Sequence, residues 1–326
     1  MKRLSRVLLL SREDDIQTRN LSDVLRLRGS DPLIFDPGKF PQHAALSFTI
    51  GSGVAGSVLT LSDQAIRLDE LSAVWLGRPS ASEPHQGIPE GRAREYAAIE
   101  SGGFSEDFWD SLQCTFMPAR NAVARYAARK IRQLVEAGRI GFDLPHTLAT
   151  TDPDDLIDFY CDHDGDVITK AMTQMSSHFG DQEFGRFTES VSTVDILAAS
   201  AVRNCPVIAQ SKIAKAVEIR ATVVGSRIFA AEIDSQGSNR TRDDWRRGDS
   251  RMISYSIHRL PEPVARRCQQ LVHSLGLCFG AVDLILTPDG RYVFLEVNPT
   301  GQYLWIEQAT GLPITQAMCN VLLGAD

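Results

Sequence analysis

Three oxygen-bearing side chains near the carboxyl end carry the clearest chemical signal in the chain. In Tyr292-Val293-Phe294-Leu295-Glu296-Val297-Asn298, strand alternation places Phe294, Glu296 and Asn298 on one face and Leu295 and Val297 on the other. The run Ala281 to Leu286 and the turn signal Thr287-Pro288-Asp289-Gly290 complete a hairpin. A two-residue turn at Pro288-Asp289 sets Asp283 opposite Phe294 and diagonal to Glu296, so two carboxylates and an amide converge. Such hard oxygens suit Mg²⁺, which takes one or two carboxylates together with substrate phosphates. A one-residue bulge would turn Asp283 to the other face. The plain alternative is an amphipathic strand that shows Glu296 and Asn298 to solvent.

Opposite charge lies upstream. Glu218, Arg220 and Thr222 alternate with Val217, Ile219, Ala221 and Val223, so Glu218 and Arg220 share a face. They make either a surface ion pair, worth ~0–1 kcal/mol, or a phosphate contact from Arg220 beside a ribose contact from Glu218. Lys170 ends the strand Val167-Ile168-Thr169-Lys170. Lys130 lies seven residues from Val123 on a predicted helix and projects with its inner face. An inward lysine needs an anionic partner, unless its head snorkels to water. Three cations and three metal ligands are the set a triphosphate requires.

The elements that must position these groups follow from pattern. Residues 1–116 alternate short apolar runs (Val7 to Leu10, Leu33 to Phe35, Val58 to Leu61, Ala73 to Leu76) with polar segments, as in a small α/β domain. Asn121 to Gly138 predicts one helix, with Arg125, Arg129, Arg132 and Glu136 outward and Val123, Tyr126, Ala127, Ile131 and Leu134 inward. Asp152-Pro153-Asp154-Asp155 starts a second helix through Tyr160. Residues 173–187 read as a loop, and Val207 to Gln210 as a strand. Gly225-Ser226 joins Val217 to Val224 and Arg227 to Ile233 in a hairpin, and Glu262 to Leu275 is a helix burying Val264, Cys268, Leu271, Val272 and Leu275.

Composition excludes several classes. A chain of 326 residues suggests roughly two domains. With 34 Lys+Arg against 41 Asp+Glu, the formal charge of −7 argues against general nucleic-acid binding, which works by neutralising phosphates. No apolar run approaches the ~20 residues of a membrane span. Val7 to Leu10 is followed at once by Glu13-Asp14-Asp15, so the start reads as a buried strand rather than a signal peptide. The six cysteines include no CxxC pair, which fits reduced, buried thiols in a cytoplasmic protein. Gly51-Ser52-Gly53-Val54-Ala55-Gly56 matches a dinucleotide fingerprint by letter. Val58-Leu59-Thr60-Leu61 follows it as a strand, so a glycine-rich hairpin is the better reading. Asp162-His163-Asp164-Gly165-Asp166 lacks the glycine and glutamate placement of a calcium loop and reads as a polar turn.

Ala281-Val282-Asp283-Leu284 followed by Phe294-Leu295-Glu296-Val297-Asn298-Pro299 resembles the metal-binding end of ATP-grasp ligases. The continuation Thr300-Gly301-Gln302-Tyr303-Leu304-Trp305-Ile306-Glu307 resembles the ATP-grasp maturases of ribosomal peptides, the graspetide or microviridin-type macrocyclases. Ala73-Val74-Trp75-Leu76-Gly77-Arg78-Pro79, Asp143-Leu144-Pro145-His146-Thr147-Leu148, Glu218 to Gly225 and Asp244-Trp245-Arg246 add to the likeness. It covers residues 73–326 well and the N-terminal part loosely. The resemblance implies an α/β protein with an ATP-grasp fold behind a small pre-ATP-grasp domain. The expected division is 1–116, 117–205 (central subdomain) and 206–326 (C-terminal subdomain with the metal site).

By the same resemblance Lys130 and Lys170 bind phosphates, Gln210, Ser211 and Ile213 belong to the adenine hinge, and Glu218 holds ribose. Arg220 steadies the transferred phosphoryl group, and Arg246 approaches the acyl phosphate or the substrate carboxylate. Asp283, Glu296 and Asn298 hold Mg²⁺. The implied cofactors are ATP and Mg²⁺. The implied partner is a ribosomal precursor peptide with a leader and a Thr/Asp/Glu-rich core, and the implied assembly a homodimer. Activation of Asp or Glu side chains then gives ω-esters with Thr or Ser, or ω-amides with Lys. The other readings are an amino-acid ligase of the glutamate-adding type and a nucleotide-binding protein without turnover. The chain departs from the family pattern at Gly77, where a second arginine is common, and at Ser211, where an acidic residue is common.

Overall fold

The structure, a computed structural model, describes residues 5–51, 54–173, 177–179, 182–184, 188–235 and 253–325. The first apolar run becomes the strand Arg6–Leu10 at the middle of a parallel sheet ordered Asp31–Phe35, Arg6–Leu10, Leu71–Leu76, Thr115–Met117. A strand covered on both faces reads as a continuous apolar run. Leu8 and Leu10 pack with Phe35, Phe108 and Trp109, whereas Val7 and Leu9 pack with Leu21, Leu25 and the chain's last helix through Met318 and Leu322. The first and last segments therefore share one core. The glycine-rich segment is a hairpin as expected: Ala45–Gly51 pairs with Val54–Leu61, antiparallel.

Two antiparallel sheets follow. The smaller is ordered Glu189–Ser190, Val167–Lys170, Val207–Ser211, Thr147–Thr150. One of its faces packs under the helix Pro153–Asp162 through Val167, Ala209 and Leu156. The larger is ordered Tyr255–His258, Arg227–Ile233, Val217–Val224, Phe279–Leu286, Tyr292–Asn298. One of its faces carries Ile219, Ala221, Val223, Leu284 and Phe294 against the helices Glu262–Ser274 and Lys130–Ile140. Within residues 173–187, the described stretches Ser177–Phe179 and Gln182–Phe184 pair as an antiparallel hairpin, in place of the expected loop.

Two further expectations are corrected, and both of these corrections bear on the site. The helix Asn121 to Gly138 is two helices, Asn121–Ala127 and Lys130–Ile140, with Gly141 in the left-handed conformation closing the second. Ala127 and Leu134 are buried as expected, but Val123, Tyr126 and Ile131 are exposed.

The last hairpin is closed by Thr287 N–H donating to the Arg291 carbonyl (3.0 Å), with Gly290 at φ +84°. Its loop is three residues, one longer than expected. Alone, that shift pairs Asp283 with Leu295 and turns Glu296 away from it. A bulge at Leu295 restores the face: Leu284 pairs with Phe294, but Asp283 pairs with Glu296 and Ala281 with Asn298. Phe294 accordingly leaves the carboxylate face and is fully buried in the core, its ring 5.5 Å from that of Phe142.

Candidate active site

The bulge gathers the three predicted ligands. Asp283 Oδ2 accepts from the Asn298 amide (2.9 Å), and the same amide lies 3.4 Å from Glu296 Oε1. Lys130 opens its helix and reaches Glu296 Oε2 at 3.0 Å, with both side chains largely out of solvent. A lysine at a helix N-terminus opposes the helix dipole, so an anionic companion is required there, and Glu296 supplies one. Lys130 is thus inward and paired rather than snorkelling. Among the described residues no three His, Cys, Asp or Glu side chains cluster as a metal site. The convergent set is two carboxylates and one amide, oxygen donors that fit a hard divalent cation.

Arg220 stands directly opposite Asp283 in the neighbouring strand and donates through Nη1 to Asp283 Oδ2 (2.8 Å). Its Nε is buried with no partner among the described residues. A buried donor left unpaired costs ~1–3 kcal/mol, so this nitrogen is open to a further acceptor. Glu218, also buried, accepts at Oε1 from Ser235 Oγ (2.9 Å) and Lys215 Nζ (3.0 Å). The two residues share a face but take different partners, so the surface ion pair is excluded.

The small sheet faces these groups with its other side. Lys170 is buried opposite Ile208, and Gln210 follows two residues on, so all three share the face away from the Pro153–Asp162 helix. Ile208 belongs to the core of the larger sheet, so Lys170 and Gln210 are directed toward that side. Gln210 Nε2 donates to Thr147 Oγ1 (2.9 Å), while its buried Oε1 has no partner among the described residues. Ser211 Oγ accepts from the His146 backbone N–H (3.1 Å), and Ile213 is half-buried on the segment leading to Glu218. Arg246 and its Asp244-Trp245 neighbours lie outside the described residues.

Lys130 and Arg220 thus flank a carboxylate cluster, Lys170 is directed toward the larger sheet from the smaller one, and among the described residues unpaired buried polar atoms sit on both sheets. That arrangement fits a polyphosphate with a metal ion at one end. Pattern reading missed Gln133, whose buried amide grips Val297, and missed Lys215 and Ser235 on Glu218. Only Lys215 carried a signal, three residues before Glu218. The departure at Gly77 has a packing cause: a Cβ there would lie 2.6 Å from the Trp75 ring and 2.9 Å from Ser11 Oγ.

The model of the MvdD pre-ATP-grasp domain matches residues 6–123. No curated protein sequence matches the chain. Among solved structures, the macrocyclase MdnB from Microcystis aeruginosa is 30% identical over 98% of this chain and 99% of its own, with a TM-score of 0.82. The chain belongs to the ATP-grasp macrocyclase family. MdnC from Microcystis aeruginosa, bound with its precursor peptide MdnA, is 28% identical over 98% of this chain and 100% of its own, at a TM-score of 0.85. A Chryseobacterium gregarium RiPP-associated ATP-grasp ligase, in complex with ADP and a leader and core peptide, is 26% identical over 99% and 98%, at 0.90. This ATP-grasp macrocyclase-family chain therefore has the ATP-grasp fold behind a pre-ATP-grasp domain, and it is an ATP-grasp carboxylate ligase. Among the described residues of this family member, no helix is long and apolar enough to cross a membrane.

Proposed function

We propose that this protein uses ATP and Mg²⁺ to activate Asp or Glu side-chain carboxylates of a ribosomal precursor peptide and closes macrocycles on them. The observation that carries the reading is the linked cluster Lys130–Glu296–Asn298–Asp283–Arg220, formed where two sheets present unpaired buried polar atoms. Asp283, Glu296 and Asn298 would hold Mg²⁺, which when bound neutralises charge on the phosphates. Lys130 and Lys170 bind phosphate oxygens. Gln210, Ser211 and Ile213 line the adenine end, and Glu218 binds ribose. Arg220 offers its unpaired Nε to the phosphoryl group in transfer, where charge develops. Arg246 is assigned to the substrate carboxylate. The domains proposed are 1–116, 117–205 and 206–326, with the metal site in the last.

A carboxylate is a poor electrophile. Its oxygen attacks the γ-phosphorus, the bond to ADP breaks, and an acyl phosphate results. A Thr or Ser hydroxyl then attacks the acyl carbon, inorganic phosphate leaves, and the hydroxyl proton passes to solvent. The product is an ω-ester, or an ω-amide where a Lys amine attacks. The relatives bound to precursor, leader and core peptides support a peptide substrate over a free amino acid. A homodimer and a cytoplasmic location belong to the same proposal and rest on the resemblance of the sequence motifs alone. Incubating the enzyme with MgATP and the precursor encoded beside it, followed by mass spectrometry, is expected to show one water lost per ring with matching ADP release. ADP release without dehydration would refute the macrocyclase reading.

A further inference from the structure

Gln133 is 1% exposed and spends its amide on backbone. Its Nε2 donates to the carbonyls of Ala127 and Val297 (both 2.7 Å), and its Oε1 accepts from Val297 N–H (2.9 Å). Tyr292–Asn298 is an edge strand of the large sheet, so the N–H and C=O of Val297 point outward, away from Phe279–Leu286. The glutamine amide meets both, as one residue of a further strand would. The Ala127 carbonyl is one released by the break between the two helices, one turn before Lys130.

The position of this grip matters. Val297 separates Glu296 from Asn298, and the bulge at Leu295 lies between two edge anchors. One is Phe294 N–H on the Asp143 carbonyl (2.9 Å), and the other is Gln133 on Val297. Without the bulge, the three-residue turn would leave Glu296 on the face opposite Asp283. A strand slips register where nothing specifies it. We infer that Gln133 is a positioning residue: it locks the bulged register that puts Glu296 and Asn298 beside Asp283, and ties that register to the helix start carrying Lys130. The inference rests on the proposed metal role of those three side chains.

The test measures ADP binding by calorimetry with and without Mg²⁺, alongside turnover, in Gln133→Leu, Gln133→Glu and Asn298→Ala. In Gln133→Leu the tightening of ADP by Mg²⁺ is expected to weaken about tenfold, as for other residues that orient metal ligands, with KM for the precursor held within about twofold. Hydrogen exchange at the Val297 amide is expected to quicken. In Gln133→Glu the ionised carboxylate keeps the bond from Val297 N–H and loses both donated bonds. Protonation returns one of them, so its deficit against wild type should shrink as the pH is lowered.

Unchanged Mg²⁺ dependence in the glutamine variants, with Asn298→Ala impaired, overturns the positioning role alone. Unchanged dependence in Asn298→Ala as well overturns the metal reading beneath it. If Gln133→Leu does not fold, the Gln133→Glu pH series decides: a deficit independent of pH overturns the inference.

Discussion

Replacing Asp283 by asparagine separates the two jobs its carboxylate is assigned. In the free protein its Oδ2 accepts from Arg220 Nη1 (2.8 Å) and the Asn298 amide (2.9 Å). Asparagine preserves the shape and an acceptor but removes the charge. A hydrogen bond to a charged group contributes ~1.5–3 kcal/mol and one to a neutral group ~0.5–1.5, so two weakened bonds cost about 2 kcal/mol. With ~2.1 cal/mol/K of unfolding entropy per residue over 326 residues, that is a fall of about 3 °C in Tm. The binding effects have opposite signs. Arg220, held less tightly by a neutral partner, meets the γ-phosphate more readily, so a non-hydrolysable ATP analogue without metal should bind about tenfold tighter, or 1.4 kcal/mol. The Mg²⁺ concentration for half-maximal turnover should rise at least tenfold, and turnover should fall about a hundredfold. Calorimetry in chelator and a Mg²⁺ titration of ADP release measure the two. An unchanged Mg²⁺ requirement together with unchanged or weaker metal-free binding of the ATP analogue would refute the assignment of Asp283 to both partners.

Other perturbations follow from packing and burial. A Cβ on Gly301 would lie 2.6 Å from Ala281 Cβ and 3.3 Å from Asn298 Cβ, so Gly301→Ala should lower stability by ~1–3 kcal/mol and raise the Mg²⁺ requirement. Adding Ala281→Gly should restore both, and an unrescued double variant would place the fault elsewhere. Burial pushes the thiol of Cys268 up to about 12 and those of Cys278 and Cys319 up to about 11, from 9.0. These thiols ionise in the unfolded chain first. Their contribution is therefore whole below pH 9 and declines from there through about pH 11 for Cys278 and Cys319 and about pH 12 for Cys268. Tm measured from pH 8 to 10.5 should fall less steeply in Cys268→Ala than in wild type, and equal slopes would count against the buried thiol. Cys161 and Cys205 are exposed, against the expectation of buried thiols, so at pH 8 a thiol reagent should reach them first.

Much of this site was legible in residue order. The alternation of Glu218 and Arg220, the paired carboxylates of the last hairpin and the inward Lys130 are local patterns, because side-chain direction repeats every 2 or 3.6 residues. The same rules predicted the Gly225-Ser226 hairpin and the buried face of Glu262–Ser274, and the structure has both. What alternation could not supply was register. The turn at Pro288 is one residue longer than its letters suggested, and the bulge at Leu295 compensates. The two departures cancel for Asp283 and Glu296 but not for Phe294, which moves to the core. The helix break before Lys130 was equally hidden, because Gln133 reads as one more helical residue until its amide meets Val297, 164 residues away. Sequence alone determined which side chains are available and which local face each takes. Tertiary structure decided which faces meet, because register and helix breaks are set by hydrogen bonds between segments far apart in the chain.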